Sequence, residues 1–204
     1  MLTLCMDTAY KYLSLSLIED GKLIAAIDEE CFKKQSELIF VRLGDLFKTA
    51  NKEPLDIDSV CISEGPGSYT GVRIAMSIAK TICEVAKFDL YTISTLKLYA
   101  GNNDNTLVLL DARAKRVYMG AYDAGKEVVK DCVKEISEVD LGNFNLVGDL
   151  SLFNKEDVMP KISECFLNTM DSWVKQDNIA YLVPKYLKES EAYGRWSVKW
   201  RFKT

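Results

Sequence analysis

Apolar residues along the chain fall into two kinds of run. Leu2-Thr3-Leu4-Cys5-Met6 is compact, the pattern of a buried strand, while Tyr12-Leu13-Ser14-Leu15-Ser16-Leu17-Ile18 alternates strictly and predicts a strand with one covered face. Glu19-Asp20-Gly21-Lys22 marks a turn and residues 23–29 continue as a third strand, so the chain opens as an antiparallel meander. The period then lengthens to that of helices. Gln35-Ser36-Glu37 reads as a helix start with Ser36 as N-cap, and this helix runs through residues 38–47 to a stop over 51–54. Residues 58–62 predict a strand that feeds a glycine-rich turn, and a second helix follows over about residues 70–86. A short strand at 90–93 and a helix stopping near Gly101 come next.

Gly101-Asn102-Asn103-Asp104-Asn105 is a polar turn cluster without core content, and it sets the expected domain boundary: one unit over 1–103, a second over 104–204. The second unit begins again with strands, at 107–111, 117–122, 126–133 and 144–148, followed by a helix over 157–170. This echo predicts two related α/β units, although no residue-level repeat links them. The last helix and the tail are expected to pack back on the first unit.

Both helices of the first unit carry more apolar surface than one sheet can cover. In the first, Leu38, Ile39, Phe40, Val41, Leu43, Leu46 and Phe47 cannot all face the same way. In the second, the charges between residues 72 and 86 are Arg73, Lys80 and Glu84, on one narrow stripe, and Ile74, Ala75, Met76, Ile78, Ala79, Ile82, Cys83 and Val85 surround them. A helix on a sheet needs an apolar arc of roughly 100°. The excess means that the helices bury each other or form a patch for a partner, and the two together favour a docking surface. Ala75 and Ala79, four apart, would admit a partner helix closely, so Ala79→Arg is expected to spare the fold and abolish partner binding.

The turn Gly65-Pro66-Gly67-Ser68-Tyr69-Thr70-Gly71 invites reading as a phosphate cradle, because a helix N-terminus attracts anions. The fingerprints do not fit. Its third glycine is one residue late for G-x-G-x-x-G, Thr70-Gly71-Val72 stands where a Walker loop needs Gly-Lys-Ser/Thr, and Pro66 replaces the first glycine of G-x-S-x-G. The spacing favours a tight strand-to-helix turn capped by Ser68 or Thr70, with Gly67 and Ser68 the weak candidates for meeting an anion.

Composition narrows the chemistry further. The chain has 204 residues, 48% hydrophobic and 27% charged, enough for one sizeable domain or two with a shared core. It contains no histidine, which removes Ser-His-Asp and Cys-His catalysis and every imidazole metal site. Six cysteines lack any C-x-x-C pair and several lie in apolar runs, as a reducing cytosol permits. A net charge of −4 argues against gripping nucleic acid unaided. The local exception is Arg195-Trp196-Ser197-Val198-Lys199-Trp200-Arg201-Phe202-Lys203, read as a terminal segment that packs its aromatics on the body, with single-strand binding as the alternative. No run is long enough to span a bilayer and no basic leader precedes Asp7, so the expected location is cytoplasmic, without a membrane partner.

Gly65-Pro66-Gly67-Ser68-Tyr69-Thr70-Gly71-Val72-Arg73-Ile74 closely resembles the G-P-G-S-[FY]-T-G-[LIV]-R-[IV] signature of the TsaB (YeaZ) family. Met6-Asp7-Thr8-Ala9 resembles the family's Ile-Asp-Thr-Ser opening, and Asp111-Ala112-Arg113-Ala114-Lys115-Arg116-Val117-Tyr118 its Asp-Ala-Arg-Arg-x-x-Val-Tyr segment. Pro184-Lys185-Tyr186-Leu187-Lys188 is similar to its closing Pro-x-Tyr-Leu-Arg, and the likeness extends from Asp7 to about Ala192. The resemblance implies an α/β, actin/hexokinase-like fold of two halves, each a mixed sheet with flanking helices, and a part in making N6-threonylcarbamoyladenosine at position 37 of ANN-decoding tRNAs. There TsaB is the non-catalytic partner of TsaD, which transfers the threonylcarbamoyl group, and the ATPase TsaE completes the complex; tRNA is met only through that complex.

The resemblance further implies that the two N-terminal helices dock on TsaD, or on a second copy, as a four-helix bundle. The matching positions are Leu38, Val41, Arg42, Asp45, Thr70, Arg73, Ile74, Met76, Ser77, Ala79, Lys80 and Cys83. No cofactor is expected in the isolated chain, and ATP or ADP at the complex interface stays open. Asp7 lies where actin-like folds place a phosphate-facing aspartate, yet Thr8-Ala9-Tyr10 lacks the glycines that wrap phosphate. Asp111 with Arg113 forms either a structural pair or part of an interdomain cleft. Many family members begin the first helix with His-Ser-Glu; Gln35-Ser36-Glu37 stands here. The rival readings are a small-molecule kinase of the same fold and a tRNA-binding module built on the tail.

Overall fold

The structure, a computed structural model, describes residues 1–31 and 34–187. The chain opens with strands β1 (Leu2–Asp7), β2 (Tyr12–Glu19) and β3 (Lys22–Glu30), and continues through helix α1 (Gln35–Ala50), β4 (Ser59–Ser63), α2 (Tyr69–Ala86), β5 (Asp89–Ile93) and α3 (Thr95–Ala100). A hairpin of β6 (Thr106–Arg113) and β7 (Arg116–Asp123) follows, then β8 (Lys126–Glu135), β9 (Asn145–Gly148), α4 (Ile162–Asn168) and β10 (Val174–Lys175). The first sheet has the order β10-β5-β4-β1-β2-β3 and the second β8-β7-β6-β9. In each, the first three strands of the unit are antiparallel and the next joins the first in parallel: β1 with β4, β6 with β9. After α4 the chain returns to the first sheet, where β10 pairs with β5.

The layers follow from which residues each strand turns to either side. Leu13, Leu15 and Leu17 of β2 join Leu4, Met6 and Ile62 under α1 and α2, while Cys5, Ile18 and Cys61 face a second core with α3, α4 and the second sheet. Strand β2 is therefore covered on both faces, not one. Its alternation has another cause: Ser14 and Ser16 are fully buried beneath α4, and their small side chains admit that helix. The α4 terminus is fixed there by Ser163, whose N–H donates to Asp28 at 3.1 Å. A third cluster, with Leu107, Leu109, Val117 and Met119, lies on the far face of the second sheet.

Two helix boundaries differ from the sequence pattern. Lys34, not Ser36, holds the N-cap position of α1, without a side-chain cap bond, because Gln35 already belongs to the helix and sends its amide to the Tyr10 carbonyl at 2.9 Å. The helix expected over 157–170 contracts to Ile162–Asn168. Val158 pairs with Gly148 and Pro160 disfavours helical backbone before it, so only the residues beyond are free to coil.

Candidate functional site

The glycine turn closes on the chain itself. Its Ser68 N–H donates to the Ala9 carbonyl at 2.7 Å, and the Ser68 hydroxyl, the N-cap of α2, accepts from Gly71 at 3.2 Å. A Cβ on Gly67 would stand 2.3 Å from the Ala9 carbonyl oxygen, and one on Gly71 would stand 2.2 Å from that of Thr8. These glycines let the turn press against the β1–β2 connection. Thr8 completes the closure, donating to the Gly71 carbonyl at 2.6 Å and accepting from Ala75 N–H at 3.2 Å.

Asp7 is fully buried and accepts from Ala9 N–H at 3.1 Å, from Tyr99 at 2.9 Å and from the Ser63 hydroxyl. Burial raises its carboxyl above the ordinary carboxylate range, against the three hydrogen bonds. Its oxygens face protein groups, where a phosphate has no access. Asp111 holds Arg113 through the backbone N–H at 2.7 Å and the guanidinium at 3.0 Å. The neighbouring contact between the units centres on Asp149, buried at the end of β9, which accepts from Lys11 at 2.5 Å, from Asp111 N–H at 2.7 Å and from the Tyr10 hydroxyl. Among the described residues no cluster of metal-ligating side chains occurs.

Helices α1 and α2 lie side by side on the outer face of the first sheet. Of the residues expected on a docking face, Met76, Ala79 and Cys83 are 3%, 0% and 1% exposed and belong to the core beneath α2. Ala79→Arg would therefore drive a guanidinium into that core, and it is not a surface probe. Arg73 and Lys80 are engaged by a strap, residues 179–187, that crosses α2. Lys80 donates to the carbonyls of Ala180 and Leu182, both at 2.9 Å, and Arg73 donates to the Tyr186 hydroxyl at 2.8 Å with its guanidinium over the Tyr69 ring. Arg42 pairs with Glu29 at 2.5 Å and Asp45 at 3.1 Å. Leu38 and Ile74 are half-buried, while Val41, Asp45, Thr70 and Ser77 are exposed. These positions are not one continuous patch: α2 turns part of its apolar arc to the sheet and has a second part covered by Ile179 and Leu182 of the strap.

What remains open lies nearer the C-terminal ends of the two helices. A groove of about 900 Å³ runs between them, lined by Phe40, Phe47, Leu55, Ile82, Val85 and Phe88 among others. Phe40, Leu55 and Val85 are 68%, 81% and 79% exposed. Gly44 sits on its α1 wall, where a Cβ would meet nothing within 4 Å. A mid-helix glycine costs about 1 kcal/mol against alanine, and no contact within the described chain requires one here. The surplus of apolar residues in the helices signalled such a surface; the glycine between Leu43 and Asp45 was the sequence feature that could have placed it.

The TsaB protein of Bacillus subtilis, a tRNA threonylcarbamoyladenosine biosynthesis protein, is 26% identical over 226 residues, covering 96% of this chain and 98% of its own. A family model described as TsaD, tRNA N6-adenosine threonylcarbamoyltransferase, matches residues 27–147, more than half of the chain. The chain belongs to the TsaB (YeaZ) family. The Escherichia coli TsaB is 34% identical over 128 residues, which are 60% of this chain and 55% of that one. YeaZ from Pseudomonas aeruginosa shares the fold, with a TM-score of 0.77 at 18% identity over 91% of this chain and 99% of that one. With its two mixed sheets and flanking helices, the chain has the actin/hexokinase-like fold that TsaB membership implied. No helix among the described residues is long and apolar enough to cross a membrane.

Proposed function

We propose that this chain is a non-catalytic scaffold subunit in threonylcarbamoyladenosine biosynthesis, one that binds TsaD through the α1/α2 face and supports transfer to adenosine 37 of ANN-decoding tRNAs. The observation that carries the reading is the open apolar groove between α1 and α2 with Gly44 on its wall, in a chain aligned with TsaB along nearly its whole length. Large exposed apolar side chains beside a glycine suit a partner helix, because a missing Cβ lets two backbones approach. The turn and Asp7 are taken up by internal contacts, and the chain has no histidine, which is consistent with chemistry residing in the partner.

The subunit acts by holding TsaD in a competent form. TsaE and an ATP or ADP at the subunit interface belong to the same reading, as do a cytoplasmic location and a homodimer that uses this face before TsaD arrives. The test is threonylcarbamoylation of an ANN-decoding tRNA with labelled threonine, the synthase that makes the adenylate, TsaD and TsaE, with and without this chain. Modification is expected to require the chain and to fall when Phe40 and Val41, both exposed, are replaced by aspartate. Equal modification without the chain would overturn the proposal.

A further inference from the structure

We infer that β8 is a self-complementary edge, at which a second copy of this chain adds antiparallel and joins the two second sheets into one. Among the described residues β8 pairs with β7 alone, so the strand Lys126–Glu135 has outward N–H and C=O groups without a partner in the sheet. Such an edge is a template for another strand. The order of its side chains selects which strand. Set against itself about its midpoint, β8 places Lys126 opposite Glu135 of the second copy, Glu127 opposite Lys134, Val128 opposite Val133, Val129 opposite Cys132 and Lys130 opposite Asp131. Each apolar residue meets an apolar one, and like charges oppose each other nowhere. A register moved by one residue brings Lys126 opposite Lys134 in one direction, or Glu127 opposite Glu135 in the other.

The backbone of β8 suits this register. Facing side chains of an antiparallel pair share one side of the sheet, so residues of a regular strand that meet across a two-fold axis are an even number apart. Val129 and Cys132 are three apart, yet both pack into the cluster on the far face of the second sheet. The cause is a bulge. Lys130 and Asp131 together stand opposite Gly120, between the pairs Ala121–Val129 and Met119–Cys132. Asp131 is thereby turned inward to the hydroxyls of Tyr122 and Ser94. A bulged edge resists a regular strand, whereas a second β8 carries the same extra residue at the same place. Val128, which has no residue opposite it on β7, is 58% exposed. Lys126, Glu127, Lys130, Lys134 and Glu135 are exposed too, and among the described residues they form no ion pair or side-chain hydrogen bond. The contact leaves the α1/α2 face open, so the inference stands whether or not that face binds TsaD.

The test uses the full chain carrying Phe40→Asp/Val41→Asp, so that association through the α1/α2 face is removed. Sedimentation velocity over a concentration series should show a monomer–dimer equilibrium, and amide exchange across residues 128–133 should slow as the dimer fills. Glu127→Lys sets like charges opposite each other at two places in the dimer. It should raise the dissociation constant about tenfold while circular dichroism stays native. Glu127→Lys/Lys134→Glu brings opposite charges together again at both places and should restore the starting constant. A monomer at every concentration would overturn the inference, as would a dimer that ignores Glu127→Lys or is not rescued by the double exchange. So would full protection of β8 in the monomer, which would put residues of the same chain on the edge; residues 188–204, with the basic aromatic segment, lie outside the described residues.

Discussion

The same substitution, glycine to alanine, should have opposite effects in the two outer helices. At Gly44 the new Cβ meets nothing within 4 Å, so the change removes backbone freedom from the unfolded chain and adds no clash. The expected gain is about 1 kcal/mol. At Gly71 the Cβ would stand 2.2 Å from the Thr8 carbonyl oxygen, and ordinary contact begins at 3.4 Å, so the β1–β2 connection must retreat by about 1 Å. That movement strains the bonds from Thr8 to Gly71 and Ala75. Overpacking of this kind costs about 1–3 kcal/mol and each weakened neutral hydrogen bond about 1 kcal/mol. After the helix-propensity gain of about 1 kcal/mol, the net loss is about 2–4 kcal/mol. With a urea slope of about 2 kcal/mol per molar, the midpoint should rise by roughly 0.5 M in Gly44→Ala and fall by roughly 1–2 M in Gly71→Ala. A wild-type midpoint in Gly71→Ala, with native circular dichroism, would refute the closure of the turn on Thr8. The glycine would then have to serve something outside the chain, as a phosphate cradle does.

Gly44→Ala should also weaken binding to TsaD, measured by calorimetry, while raising the unfolding midpoint; unchanged affinity would remove the glycine from the docking argument. Ala79→Arg is expected to yield unfolded or insoluble protein, since overpacking adds to the several kcal/mol that an unpaired buried charge costs. A folded Ala79→Arg protein would contradict the core position of that side chain. For Asp7 the sign follows from burial, which raises the native carboxyl above its ordinary 3.8, so the native state holds the proton more tightly than the unfolded chain. Its contribution is full below 3.8 and is lost as pH rises through the native value. Asp7→Asn should accordingly gain on the wild type as pH rises, and parallel stability–pH curves would refute this. Lys185→Met leaves the buried Asp131 with hydroxyl partners alone; with the lysine partly solvated, a loss of about 1–2 kcal/mol and faster proteolysis of residues 176–187 are expected.

The strands were legible because their apolar runs are local, and so were most helix limits, because capping is local: Ser68 opens α2 and Asn51, in the left-handed conformation, ends α1. The family was legible for a related reason, since the signature around Gly67 and Gly71 records a close backbone approach that few other residues permit. What the sequence could not settle was which apolar residues face where. Helical periodicity gives an arc but no partner, and the sheet, α1 and the strap share the arc of α2 among them, burying Met76, Ala79 and Cys83 and leaving Val85 open. The serine alternation of β2 likewise implied solvent, whereas α4, more than 140 residues later, covers it. Asp131 and Asp149 gave no local signal at all; their roles arise from Lys185 and Lys11, brought to them only by the tertiary fold. Local chemistry determined the elements and the kinship; burial and distant contacts, which depend on the whole chain having packed, decided which apolar surface stays open.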